Sequence, residues 1–371
     1  MKICSECVLP ETYPGIEFDE RGVCNICRAY KEKEEHTLKE ESFANEQELI
    51  ACLEKYKNHK NRYDVLVPIS GGVDSCNVLI TIVEKYGLKA LGFHNDQGYE
   101  DEIATANARN LCKALNVDLV IKQQDIGFMR KLYKYINETH VKGMNSCYIC
   151  GNILYINALE TADQYNIPLV INGYSKGQAA QIRSQDKAIE MLEKLLEIFR
   201  ETADKEFVNQ FLEKYNILNK RITYQDREDL EREVDCNKML FIPFYVFDFN
   251  KIDKDLLREK IKAHFDWKPQ KTSYPKRTTN CEMIWLNTYM DLQKMGYSNY
   301  HVEYAELVRK GEFTREQALK DLEFNPPPGV VERLAKQVDV DISKFKKGEP
   351  EQQEKNKSDD KKEQIEIEFG F

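Results

Sequence analysis

Six consecutive residues in the first third of the chain have the composition of a phosphate-binding loop. Residues 70–75 read Ser-Gly-Gly-Val-Asp-Ser and follow the apolar run Val65–Ile69. Glycines let a backbone approach a ligand closely, and a helix start presents unpaired N–H groups and a positive dipole end to an anion. The hydroxyls of Ser70 and Ser75 add donors, whereas Asp74 fits beside an anion as a helix cap or a ligand of Mg²⁺. The string therefore predicts a nucleotide-phosphate site rather than an ordinary strand-to-helix turn.

The cysteine spacing points to a second kind of chemistry. The chain has 11 cysteines in 371 residues, well below the ~8–10% of a disulfide scaffold. Two Cys-x-x-Cys pairs lie near the N-terminus, formed by Cys4, Cys7, Cys24 and Cys27. This arrangement is typical of a tetrahedral four-cysteine site. A closed ligand shell predicts a structural Zn²⁺ ion, with iron as the rival metal.

A third pair with the same spacing, Cys147 and Cys150, lies where the fourth strand is about to begin. Alone, the pair is compatible with a redox dithiol, a metal site or two core thiols. Cys281, far along the chain, is a candidate third member. The remaining cysteines are expected to be small apolar fillers, namely Cys52, Cys76, Cys112 and Cys236.

Alternating apolar and helical segments predict the elements that position these residues. Strands are predicted at Val65–Ile69, Ala90–Phe93, Val117–Ile121, Pro168–Ile171 and Leu240–Phe244. Helices are predicted between them at Ser75–Tyr86, Glu102–Leu115, Gly127–Thr139 and Asn152–Tyr165. Strands alternating with helices predict an α/β fold in which a doubly wound parallel sheet carries helices on both faces.

The pattern divides the chain into five regions. They are a cysteine head at 1–35, a linker helix within 36–60, the α/β domain at 61–250 with a helical insertion at 181–220, a helical region at 251–345, and a tail at 346–371. Within the helical region, Thr314 and Gln317 have capping-box spacing. The tail is polar with mixed charge, which predicts disorder.

Composition excludes several classes of protein. The net charge of −9 argues against general nucleic-acid coating. The basic stretch 268–277, with Trp267 and Tyr274 interleaved, leaves RNA contact open, although a solvated loop is favoured. There is no apolar run of ~18 residues and no secretory leader. We therefore expect a cytoplasmic protein with no membrane partner. The sequence is compatible with a homodimer.

The string 70–75 resembles the signature of the PP-loop ATP pyrophosphatases. The resemblance implies Mg²⁺-dependent cleavage of ATP between the α- and β-phosphates, giving pyrophosphate and a substrate adenylated on a carbonyl or carboxyl oxygen. The expected catalytic residues of the loop are Ser70, Asp74 and Ser75. Lys176 and Arg183 join them as expected catalytic residues because they would line the carboxyl edge of the sheet opposite the loop. The implied ATP contacts are Pro68, Ile69, Ser70, Gly71, Gly72, Val73, Asp74, Ser75, His94, Asn95, Asp96, Gly173 and Gln178.

The two ends of the chain narrow this resemblance. The head, with its segments 8–12, 14–16 and 18–20, and the segments 296–297, 309–311 and 314–318 look like those of N-acetyl sugar amidotransferases of surface-polysaccharide synthesis. The segment 173–178 departs from that branch and resembles a sister group thought to make thioamides. In this segment and just after it, Lys176 or Arg183 could hold pyrophosphate or the adenylate by charge.

Sulfur-inserting PP-loop enzymes hold a [4Fe–4S] cluster with a cysteine pair and one distant cysteine, which implies this role for Cys147, Cys150 and Cys281. Three ligands leave one iron open. We expect sulfur transfer, with a separate sulfur donor or carrier. The first alternative is amidation with ammonia from a separate glutaminase, because no glutaminase segment is recognisable. The second is a non-catalytic zinc-ribbon RNA adaptor.

Overall fold

The computed structural model describes residues 1–33, 46–57, 61–138, 146–173, 185–214, 240–243, 254–271, 273–275 and 280–345. Lys176, Gln178, Arg183, Cys236 and the tail at 346–371 lie outside these residues. The described part contains no helix long and apolar enough to cross a membrane.

Five parallel strands form one sheet in the order β3-β2-β1-β4-β5. The strands are β1 Val65–Pro68, β2 Ala90–Asp96, β3 Asp118–Gln123, β4 Leu169–Asn172 and β5 Leu240–Pro243. The order grows outward from β1 in both directions, so the carboxyl ends of β1 and β4 flank the point where it reverses. Open α/β sheets bind ligands at this point.

The alternation of side chains along β1 separates two hydrophobic cores. Val65 and Val67 belong to one cluster, whereas Leu66 belongs to the other. Successive residues of a strand point to opposite faces. Each face is covered by helices, α3 and α4 on one side and α5 and α6 on the other. The predicted doubly wound α/β fold is therefore confirmed.

The described helices follow in chain order. The first seven are α1 Asn25–Lys33, α2 Glu46–Tyr56, α3 Val73–Ile80, α4 Glu102–Ala114, α5 Ile126–Glu138, α6 Ser146–Gln164 and α7 Gln185–Thr202. The others are α8 Lys205–Lys214, α9 Lys254–Lys262, α10 Ile284–Lys294, α11 Asn299–Arg309, α12 Arg315–Asp321 and α13 Val330–Val338.

Helix α6 corrects the predicted position of the third cysteine pair. It begins at Ser146, six residues before the predicted start, so Cys147 and Cys150 lie in its first two turns rather than at the beginning of a strand. Apolar periodicity is weak in this stretch, because the helix is buried on several sides. The sequence therefore predicted a helix only from Asn152 onward.

The helical region contains a further helix after the prolines at 326–328. The capping box of Thr314 and Gln317 forms as predicted and starts α12. The prolines at 326–328 end that segment, but α13 then begins after Gly329 and buries Val331 and Leu334.

The cysteine head packs directly against the C-terminal helices. The rings of Tyr13 and Tyr297 meet edge to face at 5.3 Å. The Nε of Arg315 donates to the carbonyl oxygens of Cys4 at 2.9 Å and Cys7 at 3.0 Å. In α2, Leu49 and Leu53 are buried in the core beside β1. The predicted domain boundaries remain a prediction, because these regions share cores.

Candidate active site and metal centre

The loop 70–75 connects β1 to α3 at the carboxyl edge of the sheet. The Oγ of Ser75 accepts from the amide of Ser70 at 3.1 Å, lies 3.1 Å from the Oγ of Ser70, and donates to the carbonyl oxygen of Gly72 at 3.2 Å. These bonds close the loop over the first turn of α3. The N–H groups of a first helical turn have no intrahelical acceptor, so the loop and helix together can bind a phosphate group.

Side chains from four other segments fix the carbonyl groups of the loop and of Ile69 just before it. His94 Nδ1 donates to the Ile69 oxygen at 2.8 Å, and Asn280 Nδ2 donates to the Ser70 oxygen at 3.0 Å. The Gly71 oxygen accepts from Asn107 Nδ2 at 3.2 Å and from Trp267 Nε1 at 3.1 Å. Burial lowers the pKa of His94, which favours the neutral ring. The loop is therefore held in one conformation before any ligand arrives.

Two glycines are required by close backbone approach. Gly71 has φ of +81°, and a Cβ there would lie 1.9 Å from the carbonyl oxygen of Ala104. At Gly173, which follows β4, a Cβ would lie 3.0 Å from the amide nitrogen of Ser75. Gly71 thus allows the loop to rest on α4, and Gly173 allows β4 to approach the start of α3.

A cavity of about 640 Å³ opens in front of the loop. The predicted site residues that line it are Pro68, Ile69, Ser70, Gly72, Val73, Asp74, Ser75, His94, Asn95, Gly173, Cys147, Cys150 and Cys281. Gly71 and Asp96 do not line it. The Gly71 carbonyl oxygen accepts from Asn107 and Trp267, and Asp96 accepts from the amide of Gly98 at 2.8 Å. The phosphate loop and the three cysteines, far apart in sequence, therefore face one cavity.

The three cysteines of the cavity come from two segments. Cys147 and Cys150 are one turn apart on α6, and Cys281 is joined to Glu100 by an isolated antiparallel bridge. Asn287 Nδ2 donates to Cys147 Sγ at 3.1 Å, and the hydroxyl of Tyr133 donates to Cys150 Sγ at 3.6 Å. Donors directed at sulfur are typical of thiolate ligands, whose negative charge they stabilise.

Burial sets the ionisation of this end of the cavity. It raises the pKa of Cys147 to about 12 and that of Cys150 to about 11, and it raises the pKa of Cys281 well above the usual range. Free thiols in this state are poor nucleophiles at neutral pH. A bound cation would change this, because metal ligation requires the thiolate.

Several cavity residues carried no recognisable signal in the sequence. Glu100, Arg258, Gln270, Asn280 and Asn287 all line the cavity. Burial raises the pKa of Glu100 to about 7. These residues lie in helices or connections where charged and amide side chains usually face solvent. Only the fold shows that they converge.

The two aromatic rings beside and within the basic stretch 268–277 are buried. Trp267 and Tyr274 are 6% and 3% exposed. Trp267 supports the phosphate loop, and the hydroxyl of Tyr274 donates to the carbonyl oxygen of Leu322 at 2.9 Å. Both rings are used inside the protein and cannot stack on bases, so the favoured solvated loop does not describe them, and RNA contact by this stretch stays a prediction.

The four head cysteines form a second site, separate from the cavity. Their sulfurs all lie within 4.8 Å of one another and all four residues are buried. The sulfurs of Cys4 and Cys27 are 4.0 Å apart, and those of Cys7 and Cys24 are 3.9 Å apart. Four sulfurs that bind one Zn²⁺ tetrahedrally are separated from one another by about 3.8 Å. The amides of Cys7 and Cys24 donate to Cys4 Sγ at 3.4 and 3.3 Å. The geometry therefore fits a metal ion with four thiolate ligands.

No protein-family model matches the chain. It is 25% identical over 325 residues to MJ1599, an uncharacterized protein of Methanocaldococcus jannaschii, covering 86% of this chain and 92% of that protein. The fold and loop agree with the resemblance of the sequence to PP-loop ATP pyrophosphatases.

Three examples represent the solved structures that resemble the chain. The U34-tRNA thiolase NcsA of Methanococcus maripaludis, solved with its [4Fe–4S] cluster, has a TM-score of 0.35, 14% identity and coverage of 89% of this chain and 91% of its own. NMN synthetase of Francisella tularensis has a TM-score of 0.33 and 14% identity, and the match covers 80% of this chain and 94% of that one. NH3-dependent NAD synthetase of Campylobacter jejuni has a TM-score of 0.27 and 15% identity, and the match covers 49% of this chain and 98% of that one. At such scores the interpretation of the site rests on its own residues.

Proposed function

We propose that the protein is an ATP pyrophosphatase of the PP-loop type that adenylates a substrate oxygen and then replaces that oxygen with sulfur. The observation that supports it is a single cavity lined both by the phosphate loop and by Cys147, Cys150 and Cys281. One end suits nucleotide phosphates, and the other offers three sulfur ligands. A substrate between them would meet both reactants.

In the first half-reaction, a carbonyl or carboxyl oxygen of the substrate attacks the α-phosphorus of ATP, and pyrophosphate leaves. The amides at the start of α3 and the hydroxyls of Ser70 and Ser75 bind the phosphates. Asp74, in the first turn of α3 and lining the cavity, is the proposed ligand of Mg²⁺. A bound Mg²⁺ would offset the charge of the phosphates.

In the second half-reaction, a sulfur nucleophile attacks the activated carbon, and AMP leaves with the former substrate oxygen. The three cavity cysteines would hold a [4Fe–4S] cluster, which when bound would supply an iron without a protein ligand for a sulfur group. Asn287 and Tyr133 donate to the sulfurs and so orient them. A separate sulfur donor or carrier is part of this proposal.

Amidation with ammonia from a separate glutaminase is the second candidate. The head and C-terminal segments favour it through their resemblance to sugar amidotransferases. The cavity cysteines favour sulfur, because nitrogen transfer gives them no role. In the head, Zn²⁺ is the metal we propose, with a structural function, because four protein ligands complete its shell.

The test of adenylation is the identity of the products. We expect the anaerobically purified protein to exchange labelled pyrophosphate into ATP when an acceptor is present, and to form AMP and pyrophosphate. The Gly71→Ala variant should lose this activity, since its Cβ meets a backbone oxygen. Gly87→Ala is the matched control, because Gly87 also has a positive φ (+64°) but nothing within 4 Å of its Cβ position. Formation of ADP and phosphate would refute the proposal.

The choice between sulfur and nitrogen needs a second measurement. We expect iron and labile sulfide in the anaerobic protein and incorporation of labelled sulfur into an acceptor. Full transfer of ammonia by an iron-free protein would favour amidation instead.

A further inference from the structure

One wall of the cavity comes from α9. This helix packs against α3, and Lys260 Nζ donates to Asn77 Oδ1 at 3.0 Å and to Thr81 Oγ1 at 3.1 Å. Positions four residues apart share one face of a helix. Arg258 and Lys262 are so spaced, and both line the cavity. The packing on α3 therefore leaves a basic face of α9 toward the ligand space.

The segment after α9 is fixed to the phosphate loop itself. Trp267 Nε1 donates to the Gly71 carbonyl oxygen at 3.1 Å. The Lys268 N–H donates to Asn107 Oδ1 at 3.2 Å, and the Lys268 carbonyl oxygen accepts from Asn107 Nδ2 at 2.8 Å. Gln270 follows two residues later and lines the cavity. The loop, α9 and Gln270 thus form one connected frame.

Two buried donors in this frame have no acceptor among the described residues. They are Arg258 Nη2 and Gln270 Nε2. Buried donors without partners are costly and rare in folded proteins. Because both residues line the cavity, a ligand rich in acceptor oxygens is what would satisfy them. On the outer side of α9, Arg258 Nη1 is paired with Asp255 and Lys262 with Glu259 at 3.4 Å. Both carboxylates are exposed, so an anionic ligand in the cavity can compete for the two cations.

We propose that Arg258 and Gln270, assisted by Lys262, bind the β- and γ-phosphates of ATP and hold the pyrophosphate as it leaves. This rests on the proposed cleavage of ATP. When the acceptor oxygen bonds to the α-phosphorus, the bond from that phosphorus to the bridging oxygen breaks and its electron pair leaves with pyrophosphate. The guanidinium of Arg258 stabilises that developing charge by a charge-assisted hydrogen bond.

The experiment measures binding of three probes by calorimetry in the presence of Mg²⁺: α,β-methylene-ATP, pyrophosphate and AMP. In Arg258→Met, the affinity for the first two should fall about 10- to 100-fold, as expected for loss of a hydrogen bond to a charged group. Affinity for AMP should change by less than about 2-fold, since AMP lacks the phosphates concerned. Gln270→Leu should show the same selectivity with a loss of about 3- to 10-fold.

Two further variants separate charge from folding. Arg258→Lys should regain part of the lost affinity, because it keeps the charge without the planar fork. Arg200→Met, an exposed arginine on α7 that does not line the cavity, should bind all probes like the wild type.

Unchanged affinity for α,β-methylene-ATP in both Arg258→Met and Gln270→Leu would overturn the inference while leaving adenylation intact. An equal loss of AMP affinity in folded variants would also overturn it, since the contacts would then lie elsewhere. If the wild-type protein bound neither α,β-methylene-ATP nor pyrophosphate, the proposed function itself would fail along with the inference.

Discussion

The two cysteine sites of this protein use similar residues for different purposes. In the head, four buried sulfurs surround one point, and backbone amides donate to them. At the cavity, three partly exposed thiols line a space of about 640 Å³ that they share with the phosphate loop. The first site is closed to any further ligand, whereas the second leaves room for one.

The difference shows that spacing alone does not distinguish a structural thiol site from a reactive one. All three pairs in the chain read Cys-x-x-Cys. What separates them is the number of sulfurs that meet and the volume in front of them. A complete shell of metal ligands contributes to the free energy of folding. Three thiols beside the loop 70–75 leave a position free for a further ligand.

The largest expected effect is on the closed site. Cys7→Ser should lower the metal content from about one ion per chain toward zero and reduce the free energy of unfolding by on the order of 5 kcal/mol or more. The reason is that the head packs on the C-terminal helices through Arg315 and Tyr13. Elemental analysis and denaturant unfolding measure both effects.

Cys147→Ser serves as the matched control, since it should leave the ion of the head in place. Equal metal content in Cys7→Ser and the wild type would contradict a four-cysteine metal site.

The open site should respond in its chemistry rather than its folding. Cys281→Ser should lose iron and labile sulfide and form the thiolated product at least about 100-fold more slowly. Exchange of pyrophosphate into ATP should persist, because the loop is held by His94, Asn107 and Trp267. Iron, sulfide and exchange assays on anaerobic protein check this.

Cys112→Ala is the control for a buried thiol that does not line the cavity, and it should keep its iron. Retention of the full iron content by Cys281→Ser would remove this cysteine from the proposed ligand set.

Helix α11 connects the two sites and carries a pH-sensitive cap. Its first turns line the cavity, and Arg309 at its end interacts electrostatically with Cys7 and Cys27. His301 Nδ1 accepts from the amide of Ser298 at 3.1 Å. Burial lowers the pKa of His301 to about 4, below its unfolded value of about 6.5.

The unfolded chain therefore binds more protons than the native protein between these two values. The stabilising contribution of neutral His301 is fully present above about pH 6.5 and is lost as the pH falls toward 4. We expect the free energy of unfolding to decrease by about 1–3 kcal/mol over that window. His301→Gln keeps an acceptor at this position and should flatten this part of the profile. The free energy of unfolding is measured by urea at each pH for both proteins. The same dependence on pH in His301→Gln and the wild type would refute the assignment.

The smallest effect should come from the donor to Cys147. Asn287→Leu removes the hydrogen bond to Cys147 Sγ, which stabilises the more negative, reduced state of a cluster. The reduction potential should fall by about 20–60 mV, the equivalent of one hydrogen bond. A redox titration followed by electron paramagnetic resonance measures it. Thr288→Val, the next position of α10, is the control, and equal potentials in Asn287→Leu and this control would contradict the contact.

The fold was largely predictable because its strands are short buried apolar runs separated by helical periodicity. The predicted ends of the elements were wrong where polar residues are buried in the core. Strand β2 continues past Phe93 through His94 and Asn95, which are buried but hydrogen-bonded. The start of α6 was missed for the related reason that its cysteine turns face several neighbours.

The candidate site was predictable only where its residues are consecutive in the chain. Residues 70–75 follow one another in the chain, so their chemistry could be inferred without a fold. Arg258 and Gln270 stand far from that string, and their residue types are common on surfaces. The long-range packing of α9 on α3 brings them to the cavity, and no local pattern encodes that packing.

The sequence by itself determined the parallel sheet, the phosphate loop and the four-cysteine head, because each depends on local periodicity or on residues at short, fixed spacing. The tertiary structure decided that Cys147, Cys150 and Cys281 face the same cavity as the loop. It also showed that Trp267 is buried and supports the loop. These outcomes depend on contacts between segments more than a hundred residues apart, whose geometry is set only when both cores are packed.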